Sequence, residues 1–533
     1  MITRIGVRAG RVRTTAVVLA VLTMVVSGCS LPGGGAGGAG ADGEQVLRVA
    51  IAQPEASLSV QDYTTSSFTV LDQIFEPLVR YTADGGFAPA LAESYAVSDD
   101  GLTMTFRLRE DVTFSDGTPF DAALAQEDLR RWVDDEDNGF LGITGVTRSI
   151  EAPDDSTIVW RLTQPYHSAL NELALTRPVR FMSPSSFDAT GTQVAPIGTG
   201  PFRLESLDEQ RIVLVRNDSY WGGPPILDRV VFEVIPDATA RVAALRAGEV
   251  DVIGGDYTAP LALEDIPTLR ADDRVTVSTA ESSVNLLLSF NVPTGNPALA
   301  DPAVREAIGL AIDRDGVAEG LFAGMVEPAT TVFPPNVPFG PPADPAAAAD
   351  PAAARALLER AGWTGGPTRS KDGVPLNLSL ILDPGLLPQA RSLSEVVADQ
   401  LADVGVAVTI RPLDTTAYGT TVAARDFDLR FYATYGAPYD PYSTLTSNFL
   451  TSQDGHLFAS PELDAQIPVA LAAVDAPARE AAFDVVWDTL RRQHAAVPLV
   501  QLPRAWAVST RVQGFELGAT EYDLPLAAVS VSG

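Results

Sequence analysis

One cysteine, three histidines and a single lysine are all that this 533-residue chain contains of those three types, and each scarcity closes off a kind of chemistry. A lone cysteine permits no disulfide within the chain and no cysteine-built metal cluster. His167, His456 and His494 show neither His-x-x-x-His nor His-Glu-x-x-His spacing, which argues against a zinc hydrolase. No Gly-x-Ser-x-Gly elbow and no Gly-x-x-x-x-Gly-Lys loop occurs, so nothing marks an acyl-transfer nucleophile or a phosphate cradle. Paired carboxylates abound, but in so acidic a chain most are solvated surface, and no enzymatic activity is expected. Basic charge is short, 37 Lys and Arg against 68 Asp and Glu for a net charge of −31, which makes nucleic acid an unsuitable partner. The preference for arginine over Lys371 reads as composition bias without functional content. Long hydrophobic runs are missing as well: the longest, 14–26, is about half of what a membrane-spanning helix with flanks requires.

What is present begins with an export signal. Arg4, Arg8, Arg11 and Arg13 precede the apolar run and Val26-Ser27-Gly28-Cys29 closes it, the layout of a secretory signal ending in small residues. The ending resembles a bacterial lipobox, which implies that Cys29 becomes the first mature residue and carries acyl chains anchoring the protein to the outer face of the cell membrane. Losing 1–28 removes four positive charges and no negative ones, leaving −35. On so acidic a surface the anchor, not electrostatics, would hold the membrane. Residues 31–43 are almost wholly Gly, Ala and Pro, a tether that cannot bury surface.

The folded body starts near Gln45 and is long enough for two or three domains whose apolar cores need no disulfides. Segments 46–51, 103–108, 158–162, 212–216 and 230–235 alternate or run apolar at strand length. Asp301-Pro302 and Asp350-Pro351 each join an N-cap acceptor to a proline at the first helical position, Asp237 caps a run ending at Gly248, and Gly362 and Gly405 read as helix stops. The body is mixed α/β without internal repeats.

Ile197-Gly198-Thr199-Gly200-Pro201-Phe202, then Asn217-Asp218-Ser219-Tyr220-Trp221 and Leu227-Asp228-Arg229-Val230, resemble signatures of family 5 of the bacterial extracellular solute-binding proteins, which serve peptide and nickel ABC importers. Similar matches are Leu91-Ala92-Glu93-Ser94-Tyr95, Ala247-Gly248-Glu249-Val250-Asp251, Val304-Arg305-Glu306-Ala307 and Leu357-Leu358-Glu359-Arg360-Ala361-Gly362-Trp363. The resemblance covers nearly the whole mature chain. It implies a two-lobed periplasmic-binding-protein-like α/β fold of the large three-subdomain type, with a hinged ligand cleft. The expected division is a signal peptide at 1–28, the lipidated cysteine and tether at 29–44, a first lobe from 45–288 plus 502–533 with an inserted subdomain at about 80–200, and a second lobe at 289–501. The chain would cross the hinge near Ser289 and Gln501. A monomer working with an ABC permease and ATPase complex is implied, binding cargo without making or breaking bonds.

Cargo is read from Thr434-Tyr435-Gly436-Ala437-Pro438-Tyr439-Asp440-Pro441-Tyr442. Peptide-binding members carry Trp-x-x-Asp-Tyr-Pro-Asp-Pro there, with the first aspartate pairing the peptide's amino terminus; counting back from Asp440-Pro441 puts Ala437 at that acid's place. The wording Gly-Ala-Pro-Tyr-Asp-Pro is similar to the nickel-binding subgroup, as is Leu173-Ala174-Leu175-Thr176-Arg177-Pro178-Val179-Arg180-Phe181. Carried over by position, Tyr435, Tyr439 and Tyr442 are ligand-binding candidates, Arg177 or Arg180 clamps a carboxylate through its planar fork, and His456 is the candidate metal ligand. An arginine and a tryptophan of the subgroup fall, by ungapped count, on Asn138 and Leu141, so Asn138 is carried as a ligand candidate that departs from the pattern. His167 and His494 are assigned to structure or surface, and Trp221 and Trp363 to the core. One imidazole and no thiolate cannot satisfy a transition metal of four to six coordination, so any nickel would arrive as a small-molecule chelate, as cargo and not as an intrinsic cofactor. The peptide alternative, including opine-like compounds, stays open. A cell-wall enzyme and a receptor that binds without transport are the rivals from other classes.

Overall fold

The alternation that marks strands in the sequence reappears as burial on one side of Thr103–Leu108, Thr157–Leu162, Arg211–Arg216 and Arg229–Val234, whereas the central strand Val46–Ile51 is buried on both faces over Val49, Ala50 and Ile51. The computed structural model describes residues 43–53, 58, 67–138, 141–175, 181–255, 260–322, 324–344, 348–384, 387, 389–434, 438–453 and 455–532. Cys29 lies outside them, as do Arg177, Arg180, Tyr435 and Ala437.

Among the described residues an 11-stranded mixed sheet runs in the order Ala407–Pro412, Asn377–Leu382, Leu429–Ala433, Val275–Phe290, Ala496–Ser509, Val252–Gly254, Val46–Ile51, Arg229–Val234, Arg211–Arg216 and Phe202–Leu207, with Glu327–Pro328 paired off this path. Two members are far longer than the rest. Val275–Phe290 and Ala496–Ser509 pair antiparallel from Val275 opposite Ser509 to Glu281 opposite Pro503, lose register, and resume from Asn285 opposite Gln501 to Ser289 opposite Ala496, with a further slip between Leu286 and Leu287. Ser289 and Gln501, where the sequence suggests the crossings, both lie in these strands. On one side of the irregularity the pair joins Val252–Gly254 and its neighbours; on the other it joins Leu429–Ala433 and the parallel strands beyond.

A separate antiparallel sheet, in the order Ala92–Val97, Thr103–Leu108, Thr157–Leu162 and Thr147–Asp154, carries its own core of Phe106, Phe114, Trp160 and Phe181. Helices Tyr442–Phe449, Pro461–Ala472 and Ala476–Arg492 share another core around Leu445, Phe483 and Trp487. The helix punctuation is as expected. The carboxylates of Asp237, Asp301 and Asp350 accept from the amides of Ala240, Ala303 and Ala353, and Gly248 ends its helix at φ 74°.

Two of the signature motifs meet at one buried acid. Glu76 accepts hydrogen bonds from the Thr199 hydroxyl (3.0 Å), the Tyr220 hydroxyl (2.9 Å) and Trp221 Nε1 (2.7 Å). Gly198 and Gly200 press against the end of helix Ser67–Ile74 so closely that a Cβ at 198 would lie 2.1 Å from the Ile74 carbonyl oxygen, which is why the motif alternates glycine with threonine. Burial raises the Glu76 carboxyl above its ordinary range, and its hydrogen-bond donors and Arg80 oppose the rise. Glu76→Ala would leave three donors without their acceptor, each costing about 1–3 kcal/mol when buried. The expected loss is about 3 kcal/mol or more in urea unfolding, and a variant as stable as the parent would show that the acid does not organise these motifs.

Candidate functional site

Strand Leu429–Ala433 leaves the large sheet beside the irregularity of the long strands. There the Thr434 amide donates to the Asn285 carbonyl (2.9 Å), and its hydroxyl accepts from the Asn285 amide (3.0 Å). The chain then turns through Pro438, Tyr439 and Asp440 into helix Tyr442–Phe449. Tyr439 has φ +58°, a left-handed conformation that costs a non-glycine residue about 1–2 kcal/mol. The surroundings hold it there. Its hydroxyl donates to the Ala519 carbonyl (2.7 Å), its ring lies 6.0 Å from the ring of Tyr81, and the Pro438 carbonyl accepts from Asn171 Nδ2 (3.2 Å).

Asp440 is buried. It accepts from the Tyr442 amide (3.1 Å) and from the Ser168 hydroxyl, and His167 Nε2 stands 4.0 Å away. Nδ1 of His167 is 2.9 Å from the Leu471 carbonyl, which can only accept, so Nδ1 bears the proton and Nε2 faces Asp440. Desolvation drives both groups towards neutrality, raising the carboxyl and lowering the imidazole, while their mutual attraction opposes each shift.

Tyr442 meets Tyr166 edge to face, 5.3 Å between ring centres. The Tyr166 hydroxyl lies 2.5 Å from Glu172 Oε1, and the Glu172 carboxylate accepts from the amides of Gly142 and Ile143, both at 3.0 Å. Burial pushes Glu172 up to about 7 despite these donors, and Tyr442 up to about 12. Position 142 has no room for a side chain, since a Cβ would sit 2.5 Å from the Tyr166 hydroxyl and 2.6 Å from that of Tyr442.

The structure thus brings Tyr439 and Tyr442 together at a polar junction between the four-stranded unit and the helices around Phe483. Tyr442 packs against both cores. It does not bring Asn138 or His456 there as ligands. The Asn138 amide donates to the Trp132 carbonyl (3.0 Å) at the end of helix Ala122–Val133, so it closes a helix. His456 lies at the far end of strand Leu429–Ala433. Its carbonyl accepts from Arg425, the next residue packs with Ile381 and Phe427, and Nδ1 is held 2.6 Å from the Gln453 carbonyl. That is roughly 16 Å of strand from Thr434, at about 3.3 Å per residue. Arg177, Arg180 and Tyr435 fall outside the described residues. The sequence reading missed Asp440, Tyr166, Glu172, Asn171 and Tyr81, and it set His167 aside as structure or surface. The acid beside proline in 434–442 was a visible signal for Asp440; the others come from distant segments that only folding assembles. Among the described residues no group of three or more His, Cys, Asp and Glu could hold a metal ion.

Two half-sheets sharing two long strands, with an inserted unit closing on the helices of the opposite half, define a two-lobed binding protein of the periplasmic type. Residues 86–456 match the family described as "Bacterial extracellular solute-binding proteins, family 5 Middle", and the chain belongs to that family, the substrate-binding proteins of ABC importers. It is 33% identical to the nickel-binding periplasmic protein of Escherichia coli over 86% of this chain and 88% of that one. It is 29% identical to the glutathione-binding protein GsiB of Salmonella paratyphi A over 85% and 88%. The crystal structure of NikA from Brucella suis in complex with Fe(III)-EDTA superposes with TM-score 0.85 at 31% identity, covering 92% of this chain and all of that one. Among the described residues no helix is long and apolar enough to cross a membrane.

Glu172 has a folded value of about 7 against an ordinary 4.5, so its contribution to stability is full below about pH 4.5 and lost as pH rises through about 7. Glu172→Gln removes that titration. Relative to the parent, the variant gains stability between pH 4.5 and 7, by up to about 3 kcal/mol. Denaturant unfolding of both proteins across that range measures it, and a difference that does not vary with pH would contradict the assignment.

Proposed function

We propose that this importer receptor captures a chelated transition metal of the nickel type and delivers it to its membrane permease. The carrying observation is the chemistry of the loop at 434–442. Its described acid, Asp440, is already committed to Ser168, Tyr442 and His167, and Ala437 stands where peptide binders place the acid for a ligand's ammonium. Burying an ammonium without a counter-charge costs several kcal/mol. A chelate presenting carboxylates asks instead for arginine and aromatic walls. We assign the walls to Tyr435, Tyr439 and Tyr442, and the clamp to Arg177 or Arg180. The nickel-binding and Fe(III)-EDTA-bound relatives support this reading. His456 does not enter the proposed ligand set, because it stands apart from the loop. The second reading, a peptide-class cargo, is supported by the glutathione-binding relative.

We further propose that the chain acts as a monomer held by lipid on Cys29 at the outer face of the membrane. Cys29→Ser would release it from the membrane fraction into the soluble one, read by fractionation and by mass spectrometry of the mature amino terminus; unchanged partition would refute the anchor.

A ligand that binds only the folded form stabilises it by RT ln(1 + [L]/Kd), about 2.7 kcal/mol at a hundredfold excess. Thermal unfolding in nickel(II) alone, nickel(II) with excess histidine, glutathione, and di- to pentapeptides separates the readings. We expect a rise with the nickel–histidine mixture only, abolished by changing Arg177 and Arg180 together to alanine. A rise with glutathione or peptides and none with nickel–histidine would transfer the protein to the peptide class.

A further inference from the structure

We propose that Tyr439 and Asp440 are positioning residues forming a closure latch: the loop at 438–442 takes this shape only while the two lobes are shut, so lobe closure and loop geometry are one event. The proposal rests on the two-lobed importer reading and deepens it.

The contacts holding the turn come from the opposite side of the junction. Asn171 Nδ2 reaches the Pro438 carbonyl, the Ala519 carbonyl takes the Tyr439 hydroxyl, and Ser168 and His167 face Asp440. Residues 168 and 171 lie at helix Ala169–Ala174 of the four-stranded unit, and Ala519 packs against that unit's core. From its own side Asp440 has the Tyr442 amide and the positive charge of Arg479. Tyr81, Tyr166, Glu172 and Tyr442 are the remaining titratable groups whose electrostatics feel Asp440.

Separating the halves breaks these bonds together. The phenol of Tyr439 loses its acceptor, nothing then holds its backbone at φ +58°, and water reaches the Asp440 carboxylate, whose burial is otherwise unfavourable. Each consequence lets the loop relax away from its closed shape. A cargo meeting the open form therefore finds walls not yet in place, and its apparent affinity is its intrinsic affinity scaled by the closed fraction. Tyr439 on this account governs cargo binding through closure, and a ring that only touched cargo would leave the empty protein's conformation alone.

The test uses the protein without any cargo. In the full chain carrying Cys29→Ser, cysteines are introduced at Val97 and Val469, both well exposed (46% and 63%) and on opposite sides of the junction, and spin labels report their distance distribution. The parent is expected to show a short-distance population. Tyr439→Phe, which keeps the ring and removes one hydrogen bond, and Asn171→Ala, on the opposing helix, should each shift the closed-to-open ratio about fivefold towards open, the equivalent of one net hydrogen bond, with unchanged urea midpoints. A parent with no short-distance population, or Tyr439→Phe and Asn171→Ala variants with the parent's distribution, would overturn the latch. Nickel(II) with histidine is added last. Failure to raise the closed fraction there, with the variant shifts intact, would count against the metal cargo and leave the latch standing.

Discussion

Val275–Phe290 and Ala496–Ser509 run through both parts of the large sheet, contribute Val275, Phe290, Val497 and Ala507 to one continuous core, and by their pairing join the two parts into a single molecule. Backbone hydrogen bonds in a sheet tolerate bending where the ladder is broken. Here the break falls between Glu281 and Asn285, with Ser282 anchored to the Leu502 carbonyl and Asn285 bonded to Thr434. Strand Leu429–Ala433 leaves the sheet at that same place, through Thr434. Any relative movement of the two parts of the sheet must therefore pass through the strands that also fix Thr434.

A second constraint is electrostatic. The junction buries Glu172, Asp440 and Glu521 and half-buries Asp523 in a protein already rich in negative charge. Desolvation raises all four, and the partners differ: helix amides and Tyr166 for Glu172, Ser168 and His167 for Asp440, Ser283 for Glu521 and Thr520 for Asp523. Buried carboxylates of this kind favour one arrangement strongly over its neighbours, because each loses its specific donors when the surfaces slide. They make the junction selective about geometry more than they make it stable.

Relatives at about 30% identity bind a nickel species in one case and glutathione in another, so the shared fold leaves the cargo to a few side chains. In this chain the loop has no free acid among its described residues, and Tyr439 and Tyr442 are braced by residues outside it.

The sequence alone determined the strands whose alternation matches one-sided burial, the helix starts at Asp237, Asp301 and Asp350, the glycine stops, and the family, because these depend on local sterics, capping and short motifs that residues carry wherever they stand. It marked Tyr439 and Tyr442 for the same reason, as members of one continuous segment. It could not place Asn138 and His456, since spacing along the chain does not say which end of a strand a loop occupies. Asn138 became a helix closure, and His456 stands beside Arg425, away from the junction. Only the tertiary structure decided that Tyr166, His167, Ser168, Asn171 and Glu172 face the loop at 438–442. Those contacts join segments some 270 residues apart, and the desolvation that gives them their character exists only once both surfaces have closed over the same buried groups.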